Sequence, residues 1–288
     1  MRYSELHQEL EGFDEFDTRT RCEFLSFGSQ ELPVFVNEFW TSKQRAGHPL
    51  HEVSYRACFK PQLPKFFIER LTEADDLVYD PFMGRGTTLL EGALLGRKVV
   101  GCDINPLSER LIRPRLELPD LEEIEARMGG IDLGSAVEGV PEDLFAFYHP
   151  ETLRQLVVLR EYFQARQASG ELDSADWWIR MVATNRLTGH SSGFFSVYTM
   201  PPNQAVSVQS QRRINERRNQ TPPVRDVKAI ILKKTRSLLR GVSDADRKLL
   251  KQASHRARYL TQSCVDTPEI ADSSIKLVVT SPPFLDIV

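Results

Sequence analysis

The clearest pattern of apolar and polar positions lies between residues 77 and 103. Residues 77–79 form a short apolar run typical of a buried strand, and residues 89–95 have the spacing of a helix that Gly96 closes. Residues 98–102 begin with a lysine and continue as a second strand signal. The pattern therefore predicts a strand, a loop, a helix and a second strand, and Asp103 ends the second strand.

Helical spacing is the commonest pattern elsewhere in the chain. It predicts four further helices, at 61–71, 153–167, 177–186 and 227–239. Residues 188–210 are rich in Gly, Ser, Pro, Asn and aromatic residues, which predicts a loop. Strand signals return in three places, at 259–260, 263–265 and 275–279.

These elements predict an α/β fold, with a Rossmann-like core that is interrupted by a largely helical insert. We assign residues 55–106 and 259–288 to the core and residues 107–258 to the insert. Residues 1–54 are mixed and acidic early, and we expect a poorly defined N-terminal arm or cap there.

Composition describes an ordinary globular protein. The chain has 288 residues, of which 41% are apolar and 27% charged. No apolar stretch approaches the ~20 residues of a membrane-spanning helix, and the start lacks the apolar core of a signal peptide, so we expect a cytoplasmic protein without membrane contact. The four cysteines form no metal-ligand spacing, and we expect reduced thiols and no metal.

Charge is distributed unevenly along the chain. Residues 212–258 contain fifteen Lys or Arg and four acidic residues, a net charge of +11, whereas the whole chain carries −3. The remainder therefore carries −14. A basic segment on an acidic body suggests a polyanionic partner.

The last predicted strand leads into residues that carry chemistry. It delivers Ser281, Pro282, Pro283 and Phe284 at its carboxyl end, where open α/β sheets place their ligands. Taken alone, a proline pair in this position indicates an ordinary turn at the end of a strand.

The first strand leads into a second candidate site. Gly84 and Gly86 allow a sharp turn and a close approach of a ligand to the backbone. Asp80 precedes them, and Thr87 and Thr88 begin the helix. A glycine pair alone is a weak signal, because many strand–helix turns need glycine for packing. The missing third glycine argues against a dinucleotide.

Two acids follow predicted strands. Asp103 is suited to the two hydroxyls of a ribose, although it can instead cap the turn before Asn105. Asp266 follows the signal at 263–265, where a third strand would place an acid near an adenine amino group. Capping a helix before Pro268 is an equally good interpretation.

Residues 80–88, 101–105 and 280–284 together resemble the S-adenosylmethionine-dependent DNA amino-methyltransferases, which modify N4 of cytosine or N6 of adenine. The glycine motif and the Ser-Pro-Pro-Phe tetrad are specific only in combination. Residues 57–64 resemble the family's motif before the first strand, which closes over the methionine end of the cofactor. Cys58 stands where the family commonly has lysine.

The resemblance implies a methyltransferase core and roles for individual residues. Nine residues would hold S-adenosylmethionine: Phe59, Asp80, Phe82, Gly84, Gly86, Thr87, Thr88, Asp103 and Asp266. Ser281 and the carbonyl of Pro282 would accept the hydrogens of the target amine, both prolines would stiffen the loop, and Phe284 would stack on a base rotated out of the duplex. Catalysis would then be mostly positioning.

Serine in the first tetrad position resembles the N4-cytosine enzymes. The implied function is therefore site-specific methylation of cytosine N4 in a restriction-modification system. Alternatives are N6-adenine methylation, guanine-N2 methylation of RNA, and a non-catalytic DNA-binding subunit with a methyltransferase-like core that needs a second chain.

The insert lies where one permutation class of the family holds its target-recognition region. Within it, we expect four arginines to contact double-stranded DNA: Arg212, Arg213, Arg217 and Arg218. Asn and Gln residues nearby, among them Gln211, Asn215 and Gln220, are of the types that read base edges. The ordinary alternative for such a charge run is a solvated helix face.

Family members continue past the tetrad with three more strands, so the resemblance implies that the Rossmann-like methyltransferase core is incomplete at the C-terminus. We therefore expect this chain to be half of a functional unit, either truncated or completed by a second polypeptide that supplies the missing C-terminal strands. A cognate restriction endonuclease is the other expected partner.

Neutralising Arg212, Arg213, Arg217 and Arg218 together should weaken DNA binding and flatten its dependence on salt, because fewer counterions are released on binding. Duplex affinity measured over a series of salt concentrations tests this. An unchanged salt slope would remove these arginines from the interface.

Overall fold

The computed structural model describes residues 3–40, 47–55, 58–189, 191–197 and 206–283. Within these ranges the helices are α1 Tyr3–Glu11, α2 Gln62–Leu71, α3 Thr87–Leu94, α4 Leu107–Leu116, α5 Leu121–Gly130, α6 Pro150–Ala168, α7 Ser174–Arg186, α8 Val208–Arg218, α9 Val227–Leu239 and α10 Asp244–Ser254. The strands are β1 Arg21–Phe27, β2 Gln30–Val36, β3 Leu77–Asp80, β4 Lys98–Cys102, β5 Arg258–Leu260 and β6 Leu277–Val278. Short 3₁₀ helices lie at Pro49–His51 and Glu142–Ala146.

The fold is mixed α/β and contains a parallel four-stranded sheet in the order β5-β4-β3-β6. Strand β3 is central, since Val78 pairs with Val99 of β4 on one side and with Leu277 of β6 on the other. Backbone hydrogen bonds from Lys276 N to Leu77 O at 2.9 Å and from Val279 N to Tyr79 O at 3.1 Å extend the β6 contact. All four strands therefore end at one edge of the sheet.

Helix α3 connects β3 to β4 and is buried along nearly its whole length. Its packing against β4 is tight: a Cβ atom added at Gly92 would lie 2.8 Å from Val99 Cγ1. The main core extends from α3 through α4 to the helices α5, α6, α7, α9 and α10. A smaller cluster of Ile68, Val78 and Val279 joins α2 to the sheet.

The helices between β4 and β5 are joined by buried polar contacts. Asp173 and Asp176 form a capping box at the start of α7. The fully buried carboxylate of Asp176 also binds Arg127 of α5 and Arg166 of α6. The indole Nε1 of the buried Trp178 donates to Thr235 Oγ1 at 3.0 Å, which ties α7 to α9.

The N-terminal residues, for which a poorly defined arm or cap was expected, form regular secondary structure. Residues 3–36 form helix α1 and an antiparallel hairpin of β1 and β2, and the ring of His7 meets that of Phe35 edge-on at 5.2 Å. Several large apolar side chains of the hairpin are exposed: Phe24, Leu25, Phe27, Leu32 and Val36. Buried and exposed residues do not alternate along β1 and β2. The alternation of apolar and polar residues from which strands are predicted is therefore missing here.

The predicted strand at 263–265 is also wrong. β5, at Arg258–Leu260, takes the place beside β4, and residues 263–265 form a turn in which Val265 N donates to Ser263 Oγ at 3.3 Å. Three residues of the predicted loop at 188–210 belong to α8, and His190 and residues 198–205 lie outside the described residues. The four predicted helices are confirmed, each within four residues at either end.

A search of the described helices for one long and apolar enough to cross a bilayer finds no candidate.

Replacing Trp178 with Phe should lower the free energy of unfolding by about 1–3 kcal/mol, because it leaves a small cavity and a buried Thr235 hydroxyl without its donor. The matched control is Trp177→Phe, at the neighbouring half-buried position, for which we expect a loss below about 1 kcal/mol. Urea unfolding measures the free energy of unfolding of both variants. Equal losses would contradict a stabilising role for the Trp178–Thr235 contact between α7 and α9.

Candidate active site at the carboxyl edge of the sheet

The two segments that carry the predicted chemistry meet at the carboxyl edge of the parallel sheet. Strand β3 leads into the glycine loop, which we define as residues 81–86, and β6 leads directly to Thr280 and Ser281. Because β3 pairs with β6, residues about 200 positions apart in sequence become neighbours. The structure therefore brings the glycine loop and the start of the tetrad together.

Two side-chain hydrogen bonds join these segments. Thr280 Oγ1 donates to Asp80 Oδ1 at 2.6 Å, and Thr88 Oγ1 donates to the carbonyl of Val279 at 3.1 Å. Ser281 is half-buried, and Pro282 and Pro283 are exposed. Phe284 lies outside the described residues. The tetrad thus begins at a point fixed by β3 and α3.

Asp80 is buried, with 1% of its surface exposed. Burial raises the pKa of its carboxyl to about 6, although hydrogen bonds from Thr280 and from the backbone N–H of Phe82 act in the opposite direction. Its Oδ2 atom is buried and has no hydrogen-bond partner within the part of the chain that the structure describes. Asp80 therefore shapes the loop from inside the protein.

Both glycines of the loop adopt the conformation that the sequence predicts for them. Gly84 has φ 48° and Gly86 has φ 78°, in the left-handed region that favours glycine. A Cβ atom at Gly86 would lie 2.6 Å from Ile112 Cγ1, and one at Gly84 would lie 3.2 Å from Tyr55 Cε1. The neighbours that demand glycine are thus protein side chains, which the sequence pattern did not reveal.

Asp103 caps the turn before Asn105, which is one of the two roles that the sequence left open, and it also holds the glycine loop. Its Oδ2 accepts from Gly84 N at 2.8 Å, which ties β4 to the glycine loop, and its Oδ1 accepts from Asn105 N at 2.9 Å, which caps the turn. The side chain is only half-buried. Each carboxylate oxygen can accept a second hydrogen bond, so a ligand's hydroxyls can still donate to it.

The other predicted cofactor residues differ in exposure. Thr87 and Thr88 are buried, and Thr87 Oγ1 accepts from Arg85 Nε at 3.1 Å. Phe59 is half-buried and Phe82 is exposed. Asp266 is exposed and follows a turn, because the strand predicted before it does not form.

Exposed apolar side chains near the two acids were not predicted. Ile104, which follows Asp103, is 77% exposed, and Val265, which precedes Asp266, is 91% exposed. The ends of β4 and β5 adjoin, since Asp103 N donates to Leu260 O at 3.0 Å. Large apolar side chains in water beside a hydrogen-bonding carboxylate suit a ligand with an apolar ring. The position of Ile104 directly after β4 was the one available signal.

A segment of residues 47–55, which we call the strap, lies over the glycine loop and was also missed. Tyr55 contacts Gly84, and its hydroxyl accepts from Asn105 Nδ2 at 3.3 Å. Arg85 Nη1 donates to the carbonyls of His51 and Val53 at 3.2 and 3.0 Å. The strap therefore closes one side of the candidate site.

Buried polar groups hold the strap in place. His51 Nε2 lies 2.6 Å from Glu91 Oε1, and burial lowers the pKa of His51 despite that contact. Arg115 is fully buried and donates to the carbonyls of Leu50 at 3.1 Å and Leu111 at 2.8 Å. Burial and the nearby Arg85 lower the pKa of Arg115 to about 9.

The arginines of α8 and the amides on and just after this helix differ in exposure and in hydrogen bonding. Arg212, Arg213, Arg217 and Arg218 are exposed, and Arg212 pairs with Asp143 at 3.2 Å. Three of the nearby amides form hydrogen bonds within the protein. Gln211 is buried and donates to Asn215 Oδ1 at 2.7 Å, Asn215 Nδ2 donates to Ala146 O at 2.8 Å, and Gln220 Nε2 donates to Asn215 Oδ1 at 2.9 Å. The bond from Asn215 to Ala146 attaches α8 to the short helix at Glu142–Ala146, and the other two bonds orient Asn215.

Residues 6–113 match a family model described as DNA methylase. The range includes the strap, the glycine loop and Asp103, and stops before β6.

Three curated proteins are similar to parts of the chain. Type II methyltransferase M.MjaII of Methanocaldococcus jannaschii is 32% identical over 85 residues, 30% of this chain and 16% of that protein. Type II methyltransferase M.MvaI of Kocuria varians is 41% identical over 78 residues, 26% of this chain and 17% of that protein. Type II methyltransferase M1.MboII of Moraxella bovis is 30% identical over 112 residues, 36% of this chain and 43% of that protein. The matched part of the chain thus spans less than half of each relative.

Asp80 should make stability depend on pH. Below about pH 6 the folded protein keeps a proton on Asp80 that the unfolded chain has already lost above about pH 4. Unfolding therefore becomes easier as pH rises between these values, by up to about 3 kcal/mol. The unfolding free energy of Asp80→Asn relative to wild type should rise by that amount from pH 4 to pH 7.

The control is Asp272→Asn, which removes an exposed carboxylate. Urea unfolding at several pH values measures both differences. A constant difference between Asp80→Asn and wild type over this range would contradict the raised pKa of Asp80.

Proposed function

We propose that this chain carries the cofactor site and the tetrad of an S-adenosylmethionine-dependent DNA methyltransferase, and that the target is N4 of a cytosine rotated out of the duplex. The observation that carries the proposal is the hydrogen bond of Thr280 to Asp80. It joins two motifs, each weak alone, at the edge of the sheet where ligands bind. Similarity to a DNA methylase family model and to three type II methyltransferases supports the same reaction class.

The residues at the sheet edge fit the proposed cofactor. Asp103 has free acceptor capacity for the ribose hydroxyls, and exposed Phe82, Ile104 and Val265 offer apolar surface for an adenine ring. Gly84 contributes through the shape of the loop, because its N–H is bonded to Asp103 and a side chain there would meet Tyr55. Bound there, S-adenosylmethionine supplies an electrophilic methyl group. The buried Asp80, Thr87 and Thr88 support this proposal only through the shape of the loop.

The tetrad would prepare the amine that accepts the methyl group. The lone pair of an exocyclic amine is delocalised into the base, so the amine is a poor nucleophile. Ser281 Oγ and the carbonyl of Pro282 would accept its two hydrogens and so localise the lone pair. Neither proline has a backbone N–H, which keeps donors away from the amine. Phe284 would stack on the displaced base.

Cytosine is proposed over adenine because serine opens the tetrad. N6-adenine methylation uses the same geometry and is the second candidate. By analogy with the type II methyltransferases that the chain resembles, we propose that the substrate is double-stranded DNA. We also propose that a cognate endonuclease acts in the same restriction-modification system.

The first test is cofactor binding. We expect S-adenosylmethionine to bind the chain in a calorimetric titration, and Asp103→Asn to weaken binding about tenfold or more, because a hydrogen bond to a charged group contributes about 1.5–3 kcal/mol. Asp272→Asn is the matched control and should bind as wild type does. Absence of binding to folded wild-type protein would refute the proposal.

The second test identifies the product. After incubation with tritiated cofactor and duplex DNA, mass spectrometry of the nucleosides should find N4-methylcytosine. N6-methyladenine instead would overturn the choice of base. Binding without transfer, even after any co-encoded protein is added, would favour a non-catalytic DNA-binding subunit.

A further inference from the structure

A second cavity lies among the helices, away from the sheet edge. Its volume is about 800 Å³, and none of its lining residues belongs to the glycine loop, the strap or the tetrad. The lining is mainly aliphatic and aromatic, and includes Leu156 and Phe163 of α6 and Ala183 of α7. Its size and apolar character are those of a site for a small organic molecule.

Two arginines give the cavity a positive side. Arg110 of α4 and Arg180 of α7 both line it. Arg180 Nη1 donates to the neutral Gln167 Oε1 at 2.8 Å, and its guanidinium lies 5.7 Å from the centre of the Trp177 ring. Among the described residues, no carboxylate forms an ion pair with either arginine. A third arginine of the lining, Arg160, pairs with Glu161 at 4.0 Å.

The two unpaired charges act on each other. Burial, and then the charge of Arg110, lower the pKa of Arg180. Two guanidinium groups beside one apolar cavity repel each other, and the repulsion is relieved when an anion lies between them. Arginine is also the side chain best suited to hold a carboxylate through paired hydrogen bonds.

We infer that this cavity binds an amphipathic monoanion, a carboxylate on an apolar body. The carboxylate lies against Arg110 and Arg180, and the apolar body packs against Leu156 and Phe163. A phosphate of the DNA backbone satisfies the arginines but leaves the aliphatic lining in water, so the small anion accounts for both halves of the cavity. The site is independent of methyl transfer.

The probes are octanoate and its uncharged counterpart octanol, titrated calorimetrically into the full chain. Octanoate should bind at least tenfold more tightly than octanol. The double variant Arg110→Ala/Arg180→Ala should lose at least tenfold in octanoate affinity and little in octanol affinity. Arg154→Ala removes an exposed arginine of α6 that does not line the cavity, and should bind both probes as wild type does.

Ala183→Leu tests the apolar half, because the larger side chain enters the cavity and should weaken both probes while the arginines remain. Thermal unfolding establishes that each variant is folded. S-adenosylmethionine affinity should be unchanged in all of them, which separates this site from the proposed methyltransferase site.

Several results would overturn the inference. They are no binding of octanoate to wild type, equal affinity for octanoate and octanol, or unchanged octanoate affinity in the double arginine variant. A DNA duplex that displaces octanoate, and whose own affinity falls in the double variant, would assign the arginines to DNA phosphate instead.

Discussion

The candidate site depends on β3 being the central strand, and on the buried carboxylate of Asp80 at its end. One oxygen of that carboxylate, Oδ1, accepts both from Thr280 and from the backbone N–H of Phe82 in the glycine loop. It is costly to ionise where it lies, yet it is the group that joins the two motifs. The pairing of β3 with β6 brings the two motifs close together. The hydrogen bonds then fix where the tetrad begins at the end of β6.

Around this junction the protein uses polar groups as internal supports. Asp103 holds the glycine loop through Gly84 N, while Arg85, Arg115 and the His51–Glu91 pair hold the strap above it. Three nitrogens of the Arg115 guanidinium donate to backbone carbonyls, those of Leu111, Leu50 and Arg85, and so hold the backbone of the strap and of the glycine loop. Much of the charge near the site is therefore structural, and Asp103 is the acid best placed to meet a ligand.

How far the sequence predicts this site depends on the residue. The need for a sharp turn accounts for the positive φ at Gly84 and Gly86. Gly86 has a second reason to be glycine, the close approach of Ile112, and this depends on how α4 packs. Gln211 and Asn215 are of the residue types that can read bases. Only the structure reveals that Gln211 donates to Asn215 and that Asn215 donates to the carbonyl of Ala146. No strand forms at 263–265, because β5 occupies the position beside β4. Local pattern predicts elements, whereas competition for one position in a sheet is a property of the whole fold.

The run of helices between β4 and β5 has a consequence for the order of folding. Helices form through contacts near in sequence, whereas the pairing of β5 with β4 and of β6 with β3 must close loops of roughly 150 and 200 residues. The helices and the β3–α3–β4 unit can therefore form early, and the junction between Asp80 and Thr280 forms among the last contacts. Until then the glycine loop exists without its partner. A chain emerging from the ribosome thus brings its two motifs together only after the helices between β4 and β5 have been synthesised.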